Sequence, residues 1–147
     1  RLATWDEIDL DTATWTRPED QMKAGIEHRV PLSARAIELL GEPGEGLIFP
    51  GPRTGRPLSD MSLTMPLRRA DLGITMHGFR SSFRDWCAEA TTTPREIAEA
   101  ALAHLLKDQT EAAYARSDLF EKRRELMDQW SAYCHATDNV SALRSVK

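Results

Sequence analysis

The most constraining feature of this sequence is a change of residue pattern at Ser33. Before Ser33 there are three short β-prone runs separated by turn residues, and they lie at residues 5–10, 12–16 and 28–32. After Ser33, apolar residues recur at helical spacing between capping and turn signals. We therefore expect an α+β fold, mainly α-helical, with a small antiparallel β-sheet in residues 1–32 and a helical core in residues 33–135.

Two helix starts near the middle of the chain are marked by capping residues. Ser33 is a good N-cap for a helix that ends at Gly41, and its apolar residues Ile37, Leu39 and Leu40 should face inward. Ser59 or Thr64 can cap the next helix, which should end near Gly73. Because a proline inside a helix removes a hydrogen bond, we expect a kink at Pro66 or a helix that begins just before it.

The next helix should begin at Thr75 and offer two different faces. Its predicted apolar face consists of Phe79, Phe83, Trp86 and Ala90, and its second face consists of His77, Arg80 and Arg84. His77 falls in the first turn, where free N–H groups and the helix dipole favour an anion.

Two further helices follow. Thr93, Pro94 and Glu96 have the spacing of a capping box, with Thr93 as N-cap. Inward positions of that helix should be Ile97, Ala100, Ala101, Leu102 and Leu105, with His104 near its end. A short helix is predicted around residues 110–114. Residues 119–135 are amphipathic, with Phe120, Met127, Trp130 and Cys134 on one face. Residues 136–147 have no periodicity and should form a disordered tail.

Composition narrows the class of protein. At 147 residues the chain is one domain by size. It has no apolar run near the ~18 residues of a membrane span and no signal-peptide pattern, so we expect a cytoplasmic protein. Cys87 and Cys134 match neither a disulfide framework nor metal spacing, and each should be a small buried apolar residue. The histidines have no zinc-site spacing either, so we expect no metal and no cofactor.

Charge is unevenly distributed along the chain. The formal net charge is −4, which by itself disfavours a nucleic-acid partner. The segment from Arg53 to Arg84, however, contains six arginines and two aspartates, which gives it a local charge of +4. A basic middle in an acidic body is compatible with DNA binding, and equally with a solvated arginine-rich surface.

The residue types around His77 and Arg80 suit phosphate chemistry. An arginine matches phosphate oxygens with a planar fork, a histidine such as His104 can donate to an oxyanion, and Tyr114 can be a covalent nucleophile. Lys23 lies in a predicted loop between the second and third β-prone runs. Each residue alone is also compatible with an ordinary structural or surface role.

In this order the residues resemble the catalytic domain of the tyrosine recombinases, specifically the integrases of prophages and genomic islands. The resemblance runs from Trp5 to about Tyr133. Residues 5–10 resemble the first strand of the family, residues 22–33 its lysine hairpin, and residues 47–50 the segment before its middle helices. His77-Gly78-Phe79-Arg80 resembles the His-x-x-Arg box, Ala101-Leu102-Ala103-His104 the third box, and Ala112-Ala113-Tyr114 the nucleophile box.

The resemblance implies site-specific recombination of double-stranded DNA through a 3′-phosphotyrosine intermediate. Tyr114 would be the nucleophile, and Arg80, His77 and His104 would stabilise or protonate the phosphate oxygens. Lys23 would protonate the leaving 5′-oxygen. Further DNA contacts would come from Arg84, Arg53 and Arg56, and the C-terminal helix would support a homotetramer on DNA. A cytoplasmic, nucleoid-associated protein of a bacterial host is implied.

One departure from the family pattern changes the expectation for activity. The first catalytic arginine of the family precedes the strand that opens this chain, and Arg1 is too close to Trp5 to be that residue. Residues 1–147 are therefore predicted to be a single, partial catalytic domain that is inactive alone. Two alternatives remain open: a non-catalytic DNA-binding or assembly module, and a DNA-relaxing enzyme similar to the type IB topoisomerases.

Overall fold

The computed structural model describes residues 1–53, 55–71, 73–104 and 118–136. Three antiparallel strands form one sheet in the order β1-β2-β3, namely Ile8–Asp9, Thr14–Arg17 and His28–Pro31. Within these ranges five α-helices follow, which are α1 Ala34–Leu40, α2 Thr64–Arg69, α3 Gly78–Ala90, α4 Arg95–Ala101 and α5 Phe120–His135. The α+β, mainly helical prediction is confirmed. The predicted helix at 110–114 and the tail from 137 lie outside the described residues.

The sheet begins later than its sequence pattern predicted. Residues Trp5–Glu7 form a 3₁₀ helix, so only the last part of residues 5–10 is extended. Glu7 is buried, and its carboxylate accepts hydrogen bonds from Trp15 Nε1 at 2.8 Å, Gln21 Nε2 at 3.0 Å and Arg17 Nη1 at 3.2 Å. A buried carboxylate is tolerated when its oxygens are paired in this way. The 3₁₀ helix therefore fixes the start of the sheet onto the β2–β3 hairpin.

Helix α1 has the predicted ends but exposes one residue that was predicted to be inside. The Ser33 hydroxyl accepts a hydrogen bond from the Ala36 amide at 3.3 Å, and Gly41 ends the helix at a φ of +77°. Leu39, however, is 64% exposed, so its inward prediction is wrong. With only 7 residues, this helix has a narrow covered face.

Helix α2 begins just before Pro66, which is the second of the two predictions made for this proline. The helix begins at Thr64, which places Pro66 in the first turn, where a missing N–H costs no helical hydrogen bond. The N-cap is Leu63, so neither Ser59 nor Thr64 has the capping role that was predicted. The helix ends at Arg69, short of Gly73.

Helix α4 begins at Arg95 with Pro94 as its N-cap, and no side-chain hydrogen bond caps it. The capping box predicted at Thr93 is therefore not formed. Thr93 instead uses its amide to donate to the Thr91 hydroxyl at 3.1 Å. That hydroxyl in turn donates to the Cys87 carbonyl oxygen at 2.7 Å, which links the α3–α4 connection to the end of α3.

The core lies where α3, α4 and α5 meet. Its buried residues are Phe83, Cys87, Ile97, Ala98 and Leu126, with Trp86 and Trp130 packed against them. The rings of Phe83 and Trp130 meet edge to face at 5.4 Å, a favoured aromatic geometry. The buried stripe of α3 therefore runs through Phe83 and Cys87 and leaves Phe79 and Ala90 exposed, contrary to the prediction for those two residues.

The two cysteines have different environments. Cys87 is 3% exposed in the core, as predicted, and burial raises the pKa of its thiol. Cys134 is exposed on α5, so the prediction of a buried residue is wrong there. In the described ranges no helix has both the length and the apolar character to cross a membrane.

Candidate functional site

Arg80 and His104 are brought into contact by two different elements. Arg80 is the third residue of α3, and His104 follows the end of α4. The Arg80 Nη2 atom lies 2.7 Å from His104 Nε2, and it also donates to the Leu102 carbonyl oxygen at 2.7 Å. These residues are 24 positions apart in the sequence, so the fold creates their proximity.

The start of α3 is held by Thr75. Both the Thr75 hydroxyl and its carbonyl oxygen accept from the Gly78 amide, at 3.1 and 3.0 Å. His77 therefore occupies the N-cap position instead of the first turn that was predicted, and its side chain is exposed. The helix was predicted to begin at Thr75 with that residue as its cap, and this is wrong, because the helix begins at Gly78. Thr75 instead contacts the Gly78 amide from the preceding turn.

The turn after α4 directs His104 back toward that helix. Ala103 has a φ of +53°, and the His104 amide donates to the Glu99 carbonyl oxygen at 3.0 Å. A left-handed residue at the end of a helix reverses the chain and satisfies the last carbonyls. The reversal places the imidazole over the last turn of α4.

The imidazole of His104 has a partner on each nitrogen. Its Nδ1 lies 2.5 Å from Glu99 Oε2, and its Nε2 faces Arg80. A guanidinium N–H can only donate, so Nε2 must be the acceptor, and Nδ1 carries the proton that is donated to the carboxylate. Of the two neutral tautomers of His104, the Nδ1–H form is the one that satisfies both contacts.

Sequence reasoning missed Glu99, which is central to this cluster. Its side chain is only 14% exposed, and its Oε1 atom forms ion pairs with Arg84 Nη2 at 2.9 Å and with Arg95 Nε at 3.6 Å. The hydrogen bond from His104 lowers the pKa of Glu99 below its usual value, although burial acts in the opposite direction. One available signal was the i,i+4 spacing of Arg95 and Glu99, which pairs opposite charges on one helix face.

The structure places the other predicted site residues as follows. Lys23 is exposed in the β2–β3 connection, and Arg84 joins the cluster through Glu99. Within the described ranges, neither Lys23 nor the His77 side chain hydrogen-bonds to Arg80 or His104. Tyr114, the predicted nucleophile, lies outside the described residues.

Arg53 and Arg56 lie apart from this cluster in the sequence, in a turn between Pro50 and Pro57. Those two prolines form an isolated antiparallel bridge, and the Gly51 amide donates to the Arg56 carbonyl oxygen at 2.7 Å. A Cβ atom on Gly51 would lie 2.6 Å from the Pro57 carbonyl oxygen, so this position requires glycine. Both arginine side chains are exposed.

The cluster has the chemistry of a phosphate-binding surface. Arg80 is exposed and retains further N–H donors beyond those already used, because a guanidinium carries five. Planar guanidinium groups recognise phosphate oxygens in a bidentate manner. The neighbouring imidazole of His104 can accept or donate a proton at Nε2.

Comparison with known proteins gives a consistent set of relatives. The chain is 35% identical to prophage integrase IntA of Escherichia coli K12 over 95% of its own length and 35% of the relative. It is 32% identical to prophage integrase IntZ of the same organism over 97% of the chain and 36% of the relative. It is also 26% identical to the integrase of Shigella phage Sf6 over 89% of the chain and 36% of the relative.

The chain therefore spans about a third of the length of the curated relatives it matches. No family model matches the sequence, and no solved structure matches it.

Proposed function

We propose that this chain, which belongs with the phage-type integrases, takes part in site-specific recombination of double-stranded DNA through a 3′-phosphotyrosine intermediate. Its similarity to relatives named integrases supports the general function. The observation that carries the finer proposal is the 2.7 Å contact between Arg80 and His104, two members of the predicted set of phosphate-binding residues. We also propose that residues 1–147 belong to a single catalytic domain.

In the proposed reaction the Tyr114 hydroxyl oxygen attacks a DNA phosphorus atom. A phosphorus–oxygen bond to the tyrosine forms as the hydroxyl proton passes to one of the two histidines, His77 or His104. The bond to the 5′-oxygen breaks at the same time, and Lys23 supplies the proton that the leaving 5′-oxygen takes up. The phosphotyrosine keeps the ester bond, so a 5′-hydroxyl from another strand can displace it and rejoin the DNA without hydrolysis of a nucleotide.

Arg80 and His104 stabilise the charge that develops on the phosphate oxygens. Without DNA, Arg80 donates to the Leu102 carbonyl oxygen and to His104. Its remaining N–H groups have no hydrogen-bond partner among the described residues and can bind a phosphate oxygen. A preorganised donor of this type is typically worth about 3 to 4 kcal/mol in the transition state. His77, at the exposed start of α3, supplies a second imidazole to the same surface.

The remaining proposals concern the DNA surface and assembly. Arg84, Arg53 and Arg56 are exposed and are proposed to contact the phosphate backbone. A homotetramer on DNA is proposed to form through α5. In support, Tyr133 on that helix is 46% exposed although its ring stacks on Trp130 at 5.6 Å. Solvent-exposed aromatic surface is typical of protein interfaces.

The experiment uses the protein in its full length and a nicked attachment-site duplex. Cleavage next to the nick releases a short strand that carries the 5′-hydroxyl and diffuses away, so religation is prevented. The covalent protein–DNA adduct should therefore accumulate and resist denaturation. Tyr114→Phe should give no adduct. Tyr133→Phe is the matched control, because Tyr133 is the second of the two tyrosines in the chain, and this variant should retain the adduct.

Two results would overturn parts of the proposal. An adduct that persists in Tyr114→Phe would exclude Tyr114 as the nucleophile. DNA binding without any adduct in the wild-type protein would instead identify a non-catalytic DNA-binding module.

A further inference from the structure

Glu99 is an acidic residue in the middle of a surface proposed to bind phosphate. An unpaired carboxylate there would repel a phosphodiester. Both of its oxygens are occupied, however: Oε2 accepts from His104, and Oε1 pairs with Arg84 and Arg95. Its side chain is mostly covered, although both residues flanking the contact, His104 and Arg84, are exposed.

We propose that Glu99 is a positioning residue of this site, which holds His104 as the Nδ1–H tautomer with Nε2 directed at Arg80, and at the same time orients Arg84. The importance of this arrangement for strand transfer rests on the function proposed above. The arrangement itself rests only on the contacts of Glu99.

An ordinary surface ion pair explains less of what is observed. The Arg95–Glu99 pair is such a case, because the Arg95 side chain is 82% exposed and the distance is 3.6 Å. The His104 contact differs because it engages a ring whose other nitrogen already has a partner. In addition, the His104 amide donates to the carbonyl oxygen of the same Glu99, so backbone and side chain fix one orientation together.

The tautomer has a chemical consequence. In the proposed tautomer Nε2 accepts from Arg80 and holds no proton. When a proton is added at Nε2, the Nδ1–H bond to Glu99 stays in place, and the carboxylate offsets the charge of the imidazolium. His104 can thereby change from acceptor to donor toward a phosphate oxygen without turning its ring. Glu99 fixes the side of the ring on which this change occurs.

The arrangement can be tested without any catalytic assay, by nitrogen NMR of the chain with ¹⁵N-labelled histidine. The His104 signals are assigned by their loss in His104→Asn. In the wild-type protein at neutral pH, Nε2 should have the far-downfield shift of an unprotonated nitrogen, and Nδ1 should have the shift of a protonated one. In Glu99→Ala the two signals should move toward each other, because the ring then samples both tautomers.

The matched control is Glu96→Ala, which removes an exposed glutamate from the same helix and should leave the His104 signals unchanged. Glu99→Gln provides a second test in case Glu99→Ala does not fold. It preserves side-chain size, but its amide can present either an oxygen or an NH₂ group to Nδ1, so a mixture of tautomers is again expected. A wild-type Nε2–H tautomer, or unchanged signals in both folded Glu99 variants, would overturn the proposal.

The functional consequence is measured separately in the adduct assay. At saturating DNA the rate of adduct formation in Glu99→Gln should fall by about tenfold or more, as is common when the orienting partner of a functional histidine is removed. If the wild-type protein forms no adduct, the proposed function is wrong. The NMR experiment still tests the role of Glu99, because it does not depend on catalysis.

Discussion

Arg123 on α5 donates from Nη1 to the backbone carbonyl oxygen of Arg29 on β3 at 2.6 Å, across 94 positions of sequence. Arg123 is 1% exposed, and it also donates from Nε to the Asp118 carbonyl oxygen at 2.7 Å. A third bond joins its Nη2 to the Asp118 carboxylate at 3.1 Å, and Arg29 binds the same carboxylate. A single buried guanidinium thus connects the sheet to the last helix.

Replacing Arg123 by methionine should destabilise the chain by about 2 to 4 kcal/mol, because the substitution leaves the carbonyl oxygens of Arg29 and Asp118 without this donor. Methionine retains much of the side-chain volume, so the loss reports mainly on hydrogen bonding. Urea unfolding should show a lower midpoint with an unchanged slope. Lys122→Met, at an exposed position of the same helix, should stay within about 0.5 kcal/mol of wild type, and an equal loss in both variants would contradict this role.

The core where α3, α4 and α5 meet makes a second prediction. Leu126 is 2% exposed, so Leu126→Ala should cost about 2 to 5 kcal/mol through lost burial and the cavity left behind. Leu39→Ala applies the same chemical change at a position that is 64% exposed, and it should cost about 0.5 kcal/mol or less. Both values come from urea unfolding. Similar losses at the two sites would mean that α1 is covered in solution.

A third prediction compares two helix starts, one with a side-chain cap in the structure and one where only the sequence predicts a cap. The Ser33 hydroxyl accepts from the Ala36 amide, so Ser33→Ala should destabilise the chain by about 1 kcal/mol. Thr93 provides no side-chain cap for α4, so Thr93→Ala should be close to neutral. Thermal or urea unfolding of the two variants measures the difference. A larger loss at Thr93 would restore the capping box that the sequence indicates.

Local signals in the sequence predicted much of the fold. The predicted helix at residues 119–135 matches α5 within one residue, because helical periodicity and the polar tail after it are both visible locally. Ser33, Gly41 and the buried Cys87 were also predicted correctly. Helical spacing shows which residues share a face, but not which part of that face a neighbour covers. Phe79 shows the limit, since it shares the spacing of Phe83 and is still 48% exposed.

The candidate site was predicted only in part, because its geometry depends on contacts between distant segments. His77, Arg80 and His104 were identified as a set, but spacing along the chain could not show that Arg80 meets Nε2 of His104. Glu99 and Arg123 were missed for the same reason. A charged residue on a helix ordinarily faces solvent. Glu99 and Arg123 are instead largely covered, because residues distant in the sequence bind their charged groups in the folded chain.

Acid should weaken the link between the sheet and α5. Burial raises the pKa of Asp118, but the hydrogen bond from Arg29, the charges of Arg123 and Arg29 and the Phe120 amide together leave it below its usual value. A carboxylate whose pKa is lower in the folded than in the unfolded protein stabilises the fold at pH values above its unfolded pKa of about 3.9. This stabilisation is lost as the pH falls through the folded pKa. The advantage of wild type over Asp118→Asn should therefore be present at pH 6 and shrink below about pH 4.

Urea midpoints between pH 6 and pH 3 measure this difference. Ser33→Ala is the control, because it changes no titratable group and its difference from wild type should not depend on pH. A difference between wild type and Asp118→Asn that stays constant down to pH 3 would show that the carboxylate charge does not stabilise the link.

Binding of the chain to double-stranded DNA should depend on salt through Arg80. If Arg80 contacts a phosphate, Arg80→Ala should weaken binding to duplexes of any sequence alike, since a phosphate carries no base identity. It should also reduce the slope of the logarithm of affinity against the logarithm of salt concentration by about 0.9, the value for one phosphate contact on B-form DNA. Arg35→Ala is the matched control, because Arg35 is an exposed arginine of α1 paired with Glu38 and lies outside the proposed surface. Fluorescence anisotropy over a range of salt concentrations gives both slopes. The same slope for Arg80→Ala as for wild type would exclude a phosphate contact at Arg80, and an equal reduction in Arg35→Ala would show that only overall charge matters.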